Sequence, residues 1–207
     1  MLNKKDYKSY IDRYNIAYRK YGYSTKSLCW SGGCENQSAR FCALLDVRKF
    51  IKNDIFNVLD VGCGFGDFAK YMYSNSFKGQ YTGIDINENL LEEANKQNEH
   101  ESTFLCCDVF SNQIGINFDV VFESGLFNYK LTNQDQLRYI AASLERMYSL
   151  CNYAISCNFI STYVDWQHEN TFHLDPRIAL DIGKSLSEKV ILRHDYMPYE
   201  YTMYIFK

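Results

Sequence analysis

An acid followed by glycines at every second position can hold a positively charged ligand against bare backbone. Residues 57–69 have that form. The apolar run Asn57-Val58-Leu59 leads into Asp60, then come Gly62, Cys63, Gly64, Phe65 and Gly66, and a helical pattern opens near Asp67. This is a strand, a tight turn and a helix start, an arrangement in which backbone approaches a nucleotide-like ligand closely. A dinucleotide fingerprint needs G-x-G-x-x-G. Here Asp67 stands where its third glycine should fall, and the third glycine comes one residue early, at Gly66. A carboxylate at Asp60 would repel a pyrophosphate but could accept a hydrogen bond from an ammonium group. The loop therefore suits a cationic cofactor carrying an amino acid better than a diphosphate. A second acid, Asp85, closes the strand pattern 80–86 roughly 20 residues past the loop, the offset at which a carboxylate grips ribose hydroxyls. A third, Asp108, closes the pattern 103–109.

In this order and spacing, the three segments resemble the class I S-adenosylmethionine-dependent methyltransferases. The resemblance implies that Asp60 and the Gly62/Gly64/Gly66 loop hold the methionine part of S-adenosylmethionine. It implies that Asp85 holds the ribose and that Asp108 meets the adenine amino group. Cys63, Ile86, Val109 and Glu123, next to these positions, are expected cofactor contacts as well. The alternatives are a nicotinamide-binding Rossmann domain and an α/β domain with an incidental glycine-rich turn. The specific motifs lie within residues 58–128, while the architectural likeness spans about 55–207.

Ligands in open α/β sheets bind beyond the carboxyl ends of the strands. That rule selects the acceptor side. After the fourth strand come Ser124, Asn128 and Tyr129. After the fifth come Asn158, Tyr163 and Trp166. These residues, with Trp30 from the N-terminal region, are the expected substrate contacts. His168, His194 and Glu123 are the candidate bases, because a base could take a proton from an attacking hydroxyl. Surface placement is the alternative for His168 and a satisfied strand end for His194. The segment 161–174 exceeds an ordinary connection and is expected to be a lid. The fourth-strand loop reads Glu-Ser-Gly-Leu-Phe-Asn-Tyr and carries no proline. It thus departs from the Asn/Asp-Pro-Pro-Tyr/Phe signature of amino-methylating enzymes that act on nucleic-acid bases or protein amides. With the tail 195–201 it looks similar to a small group of bacterial methyltransferases.

Composition narrows the partners. The net charge is −3 and no long Lys/Arg cluster occurs, which disfavours a large nucleic-acid substrate. The eight cysteines include no C-x-x-C pair, so no metal site is expected and the thiols read as reduced core residues, with an arsenite-binding arrangement not evident. No apolar run reaches membrane-spanning length and the first residues lack a secretion signal, so a cytoplasmic location without a membrane partner is expected. Oligomeric state is not legible.

The elements must carry these residues. Spacings of three and four among Tyr7, Tyr10, Ile11, Tyr14 and Tyr18 predict a helix over 5–21, and a second is predicted over 35–52. Strands are predicted near 56–61, 80–85, 102–107, 118–123 and 153–159. Helices are predicted near 66–75, 87–98 and 133–150, and after Pro176. A final hairpin pairs 189–194 with 201–206. This alternation predicts a doubly wound α/β fold. The family resemblance adds a seven-stranded, mostly parallel sheet whose last strand is antiparallel. Residues 1–53 form a helical extension expected to cap the substrate, and 54–207 the cofactor-binding core. The expected activity is methyl transfer to a small molecule, at oxygen. An RNA or protein methyltransferase, or a non-catalytic S-adenosylmethionine-binding partner subunit, are the alternatives.

Overall fold

The computed structural model describes residues 2–29, 33–98, 100–115 and 117–207. Helix α1 (Lys4–Tyr21) starts where the Asn3 side chain accepts from the backbone N–H groups of Lys5 and Asp6, and it stops at Gly22. A 3₁₀ turn (Thr25–Leu28) and α2 (Gly33–Leu45) follow. The core then alternates through β1 (Asn57–Val61), α3 (Asp67–Ser74), β2 (Gln80–Asp85), α4 (Glu88–Gln97), β3 (Ser102–Cys106) and β4 (Phe118–Glu123). It closes with α5 (Gln136–Leu150), β5 (Cys151–Ile160), α6 (Pro176–Leu186), β6 (Val190–Met197) and β7 (Glu200–Phe206). Side-chain caps fix three of these starts. Asn87, Asp135 and Asp175 each accept from a first-turn N–H, and Pro176 occupies the opening position of α6.

The seven strands form one sheet in the order β3-β2-β1-β4-β5-β7-β6. The first five are mutually parallel, and β7 runs antiparallel between β5 and β6. Val61 pairs with both Ile84 and Glu123, and Glu123 pairs with Cys157. The register therefore brings Asp60, Asp85, Glu123 and Asn158 to one edge, the carboxyl ends of the parallel strands.

Each sheet face is covered. Leu59, Val61, Val121 and Ile155 pack under Ile140, Leu144 and Met147 of α5 and Ala179 of α6. On the opposite face Val58, Val120, Phe122 and Ala154 pack against Phe41 and Leu44 of α2 and Phe68, Ala69 and Met72 of α3. This apolar sandwich holds the strand ends rigid, which a ligand site at that edge requires.

Several boundaries differ from the sequence expectation. The second helix ends at Leu45, and Asp46–Phe50 tightens into a 3₁₀ turn. There Asp46 leaves the helical path to pair with Lys49 and with Arg193 of β6. The hairpin is longer than expected, with only Pro198 and Tyr199 between its strands, and a register shift lies between Arg193 and Met197. Four cysteines do not serve as core residues. Cys29, Cys34, Cys42 and Cys106 are exposed, whereas Cys63, Cys151 and Cys157 are buried. Cys42 sits on the outer side of α2, because Phe41, Leu44 and Leu45 take the inner side. Among the described residues, no helix is long and apolar enough to cross a membrane.

Candidate active site

The glycine loop is built to lie flat. Gly62, Gly64 and Gly66 all have positive φ, and the N–H groups of Gly62 and Cys63 both reach the carbonyl of Ile84, at 2.8 and 3.0 Å. At Gly66 the requirement for glycine is strictest. Its φ is +70°, and an added Cβ would stand 2.8 Å from the Phe104 ring. Gly66 also sets the start of α3.

Two cavities open along the strand ends. The first encloses about 520 Å³ including its mouth, and its floor carries Asp60, Gly62, Cys63, Gly64 and Asp85. Asp67, Phe68 and Ser124–Leu126 form its flanks, and Tyr10, Tyr14, Leu28, Gln37 and Phe41 cover it. The second, about 330 Å³, is walled by Ile86, Cys107, Asp108, Val109 and Tyr139, with Leu2 at its edge. Tyr10, Gly62, Asp85 and Leu126 line both, so the two chambers meet there. Together they suit an elongated ligand with chemically different ends.

Charge in the cleft is one-sided. Asp60 is buried and accepts from the Tyr81 hydroxyl. Burial pushes its carboxyl up to about 7, the Tyr81 hydrogen bond opposes that shift, and the neighbouring Asp85 adds to it. Asp85 accepts from the backbone N–H groups of Gly64 (3.0 Å) and Asn87 (2.9 Å). Burial still raises it to about 6. Asp108 accepts from Phe110 N–H at 2.8 Å. Neither chamber has a lysine, arginine or histidine among its lining residues. A cation entering would relieve the desolvation of these carboxylates.

Helix α1 lies across this cleft and is tied at both ends. Near its start Asp6 accepts from Asn133 Nδ2 at 2.9 Å and from Thr132 N–H at 3.2 Å. Near its end Tyr18 donates to Glu93 at 2.8 Å, and Tyr23, just past the helix, donates to Asp67 at 2.6 Å. Beyond Ser124 a polar chain runs into the sheet. Ser124 Oγ donates to Asn158 Oδ1 (2.9 Å), and Asn158 Nδ2 donates to Thr202 Oγ1 (2.9 Å), which donates to the Tyr196 hydroxyl (2.9 Å). Close by, Arg40 of α2 forms a two-pronged buried ion pair with Glu200.

The structure brings together Asp60, Gly62, Cys63, Gly64, Asp85 and Ser124 in the first chamber, and Ile86, Asp108 and Val109 in the second. Other expected residues fall elsewhere. Glu123 is fully buried and lines neither chamber. One of its oxygens accepts from Leu126 N–H at 2.6 Å, and burial holds its carboxyl well above the usual range. It braces the loop that a base would have to reach across. Asn128 receives Phe172 N–H at its carbonyl and lines neither chamber. Tyr129 stands one layer out, its ring edge-on to Tyr10.

Segment 161–174 does not turn into the cleft. Tyr129 bridges to Thr171 and Ser161 to Leu174, which pins the segment along the outer side. Tyr163 and Trp166 are 60% and 64% exposed, and His168 is exposed against the Trp166 ring. His194 is half-buried between Tyr163 and Tyr201 and lines neither chamber. In this structure His168 and His194 therefore stand apart from the two chambers. Trp30 lies outside the described residues.

Sequence reasoning missed Tyr10, Leu28, Gln37 and Phe41 as cleft residues. The tyrosine spacing of α1 carried a signal for Tyr10. Nothing local marked the others.

The Methyltransferase domain family matches residues 58–149, the segment from the glycine strand to the end of α5. A Mycobacterium tuberculosis protein with a provisional methyltransferase name, Rv1506c, is 30% identical over 161 residues, covering 74% of this chain and 95% of that one. Magnesium protoporphyrin IX methyltransferase from Synechocystis PCC 6803, solved with S-adenosylhomocysteine, superposes with a TM-score of 0.69 at 13% identity over 98% of this chain and 99% of that one. The plantazolicin methyltransferase BpumL, solved with a triazolic desmethyl analogue and S-adenosylhomocysteine, gives 0.65 at 16% identity over 99% of both. The chain belongs to the class I S-adenosylmethionine-dependent methyltransferases. It is thus an enzyme of methyl transfer whose cofactor is S-adenosylmethionine.

Proposed function

We propose that this enzyme methylates a small-molecule acceptor, at oxygen, and that Asp60, Gly62, Cys63 and Gly64 seat the methionine end of the cofactor. Asp85 holds the ribose between the chambers, and Ile86, Asp108 and Val109 receive the adenine. The observation that carries this reading is the pair of joined chambers with Asp85 at their junction. Their one-sided negative charge suits a ligand bearing a sulfonium and an ammonium group.

When bound, the cofactor supplies an activated methyl group and its own leaving group. The protein's part is alignment and exclusion of water. Tyr10, Tyr14, Leu28 and Phe41 roof the first chamber with apolar surface. Ser124, fixed by Asn158, offers an uncharged hydrogen-bonding group beside it. A hydroxyl acceptor can donate a hydrogen bond to Ser124 Oγ, and once the methyl group has moved to its oxygen the proton leaves to bulk water at the mouth of the cleft. Segments 1–53 and 54–207 then divide the work, the former as cap and the latter as cofactor core. A small acceptor is supported by the α1 roof over the first chamber. The two solved structures described above are named as methyltransferases of magnesium protoporphyrin IX and of plantazolicin.

The test is a screen of fractionated metabolite extracts with methyl-labelled S-adenosylmethionine, followed by identification of the product. Label in small, base-stable or ester-like products supports the proposal. Label confined to RNA or protein overturns it. Calorimetry showing NAD binding without S-adenosylmethionine binding would remove the cofactor assignments.

A further inference from the structure

We propose that Arg13 recognises an anionic group on the methyl acceptor, a carboxylate or a phosphate, so that the acceptor is an acid. The proposal rests on the methyl-transfer reading above. Helix α1 presents different flanks to different neighbours. Tyr10 and Tyr14 enter the first chamber, and Tyr18 meets Phe65 of the glycine loop. Asp6 and Arg13, two turns apart, face the segment that follows β4. Asp6 is bound to Asn133, and the Arg13 guanidinium lies over the Tyr129 ring, 5.1 Å from its centre. Arg13 therefore stands just outside the two chambers, over Tyr129 and beside Cys29, on the flank of α1 that meets the segment after β4.

Its bonding is incomplete. Arg13 is half-buried, and its Nε donates to Cys29 Sγ at 3.4 Å. Among the described residues it forms no ion pair, whereas Arg40, Arg177 and Arg193 each hold a carboxylate. The two terminal nitrogens remain as a planar fork, pre-oriented by the ring beneath them. That is the geometry in which arginine binds carboxylate or phosphate through two parallel hydrogen bonds. The neighbouring chamber carries Asp60, Asp67 and Asp85 with no basic residue in its lining. An anionic acceptor would be repelled by those charges unless a cation stood nearby, and α1 carries one beside Tyr14, a residue of the lining.

The cofactor's own carboxylate is the other anion that could reach this fork, so the experiment separates the two. Full-length protein saturated with S-adenosylhomocysteine is titrated with 4-fluorobenzoate and, separately, 4-fluorobenzamide, followed by fluorine NMR. The wild type should bind the acid at least about fivefold more tightly than the amide, the effect of one charge-assisted contact at a partly exposed site. Arg13→Gln should abolish that preference, Arg13→Lys should keep part of it, and affinity for S-adenosylhomocysteine should stay within about twofold by calorimetry. Equal binding of acid and amide, or a preference that survives Arg13→Gln, overturns the proposal. A loss of S-adenosylhomocysteine affinity of about tenfold or more in a variant with an unchanged melting temperature also overturns it, because the guanidinium then serves the cofactor. Wild-type protein that binds no S-adenosylhomocysteine removes the underlying cofactor reading, and the proposal with it.

Discussion

Replacing Asp60 by asparagine should make the empty enzyme more stable above neutral pH while weakening its hold on the cofactor. Burial raises the Asp60 carboxyl from an ordinary 3.8 to about 7. Between those values the folded chain keeps a proton that the unfolded chain has lost. The associated stability is therefore full below pH 3.8 and disappears as pH rises through about 7. A shift of roughly three units corresponds to about 4 kcal/mol, of which about 3 kcal/mol falls between pH 5 and pH 8. Asparagine carries no such proton, and its side-chain oxygen can still accept from the Tyr81 hydroxyl, as Asp60 does. Urea unfolding of ligand-free protein at pH 5 and pH 8 should show the wild type losing about 3 kcal/mol more than Asp60→Asn across that interval. Titrating groups that do not interact with Asp60 are common to both proteins and cancel in the comparison; Asp85, which interacts electrostatically with Asp60, is part of the difference that is read. At pH 8 the same variant should bind S-adenosylmethionine more weakly by about 1.5–3 kcal/mol, the value of a hydrogen bond to a charged group. Parallel pH profiles for the two proteins would refute the reasoning, since they would mean that the buried carboxylate is not destabilised by its setting.

Three further outcomes are expected. Asp85→Ala strips the partner from the N–H groups of Gly64 and Asn87 and should weaken cofactor binding by about 1–3 kcal/mol, measured calorimetrically in protein with an unaltered circular dichroism spectrum. Gly66→Ala combines a positive φ with a Cβ 2.8 Å from the Phe104 ring, and should cost about 2–4 kcal/mol of stability in urea denaturation. His168→Ala should leave turnover within about threefold, because the exposed imidazole lies outside both chambers; a fall on the general-base scale of about 10²–10⁴ would show that segment 161–174 swings inward during catalysis.

The glycine loop and the strand-end acids were legible in the sequence because their signals are local. A strand, a glycine turn and a helix start are encoded within a dozen consecutive residues. Strand alternation then carries Asp60 and Asp85 to the same edge of the sheet. The antiparallel run of β7 followed from the hairpin pattern and the family resemblance, whereas its place between β5 and β6 depends on long-range pairing that a hairpin pattern cannot show. The acceptor half was illegible for a physical reason. Whether a long loop turns inward depends on what it meets, and Thr171 and Leu174 find bridge partners in Tyr129 and Ser161 on the outer side. Likewise, nothing near Glu123 announced that its oxygen would be spent on Leu126 N–H. Arg40 and Glu200 stand 160 positions apart, and only the finished sheet joins them.

Helix α1 is fastened near both ends, by Asp6 to the 132–133 segment and by Tyr18 to Glu93. A ligand seated beneath Tyr10 and Tyr14 thus lies under a helix held in place by groups on both flanks of the cleft. Cutting one fastening, by Asp6→Ala or Tyr18→Phe, should therefore loosen the roof over the first chamber without touching its floor.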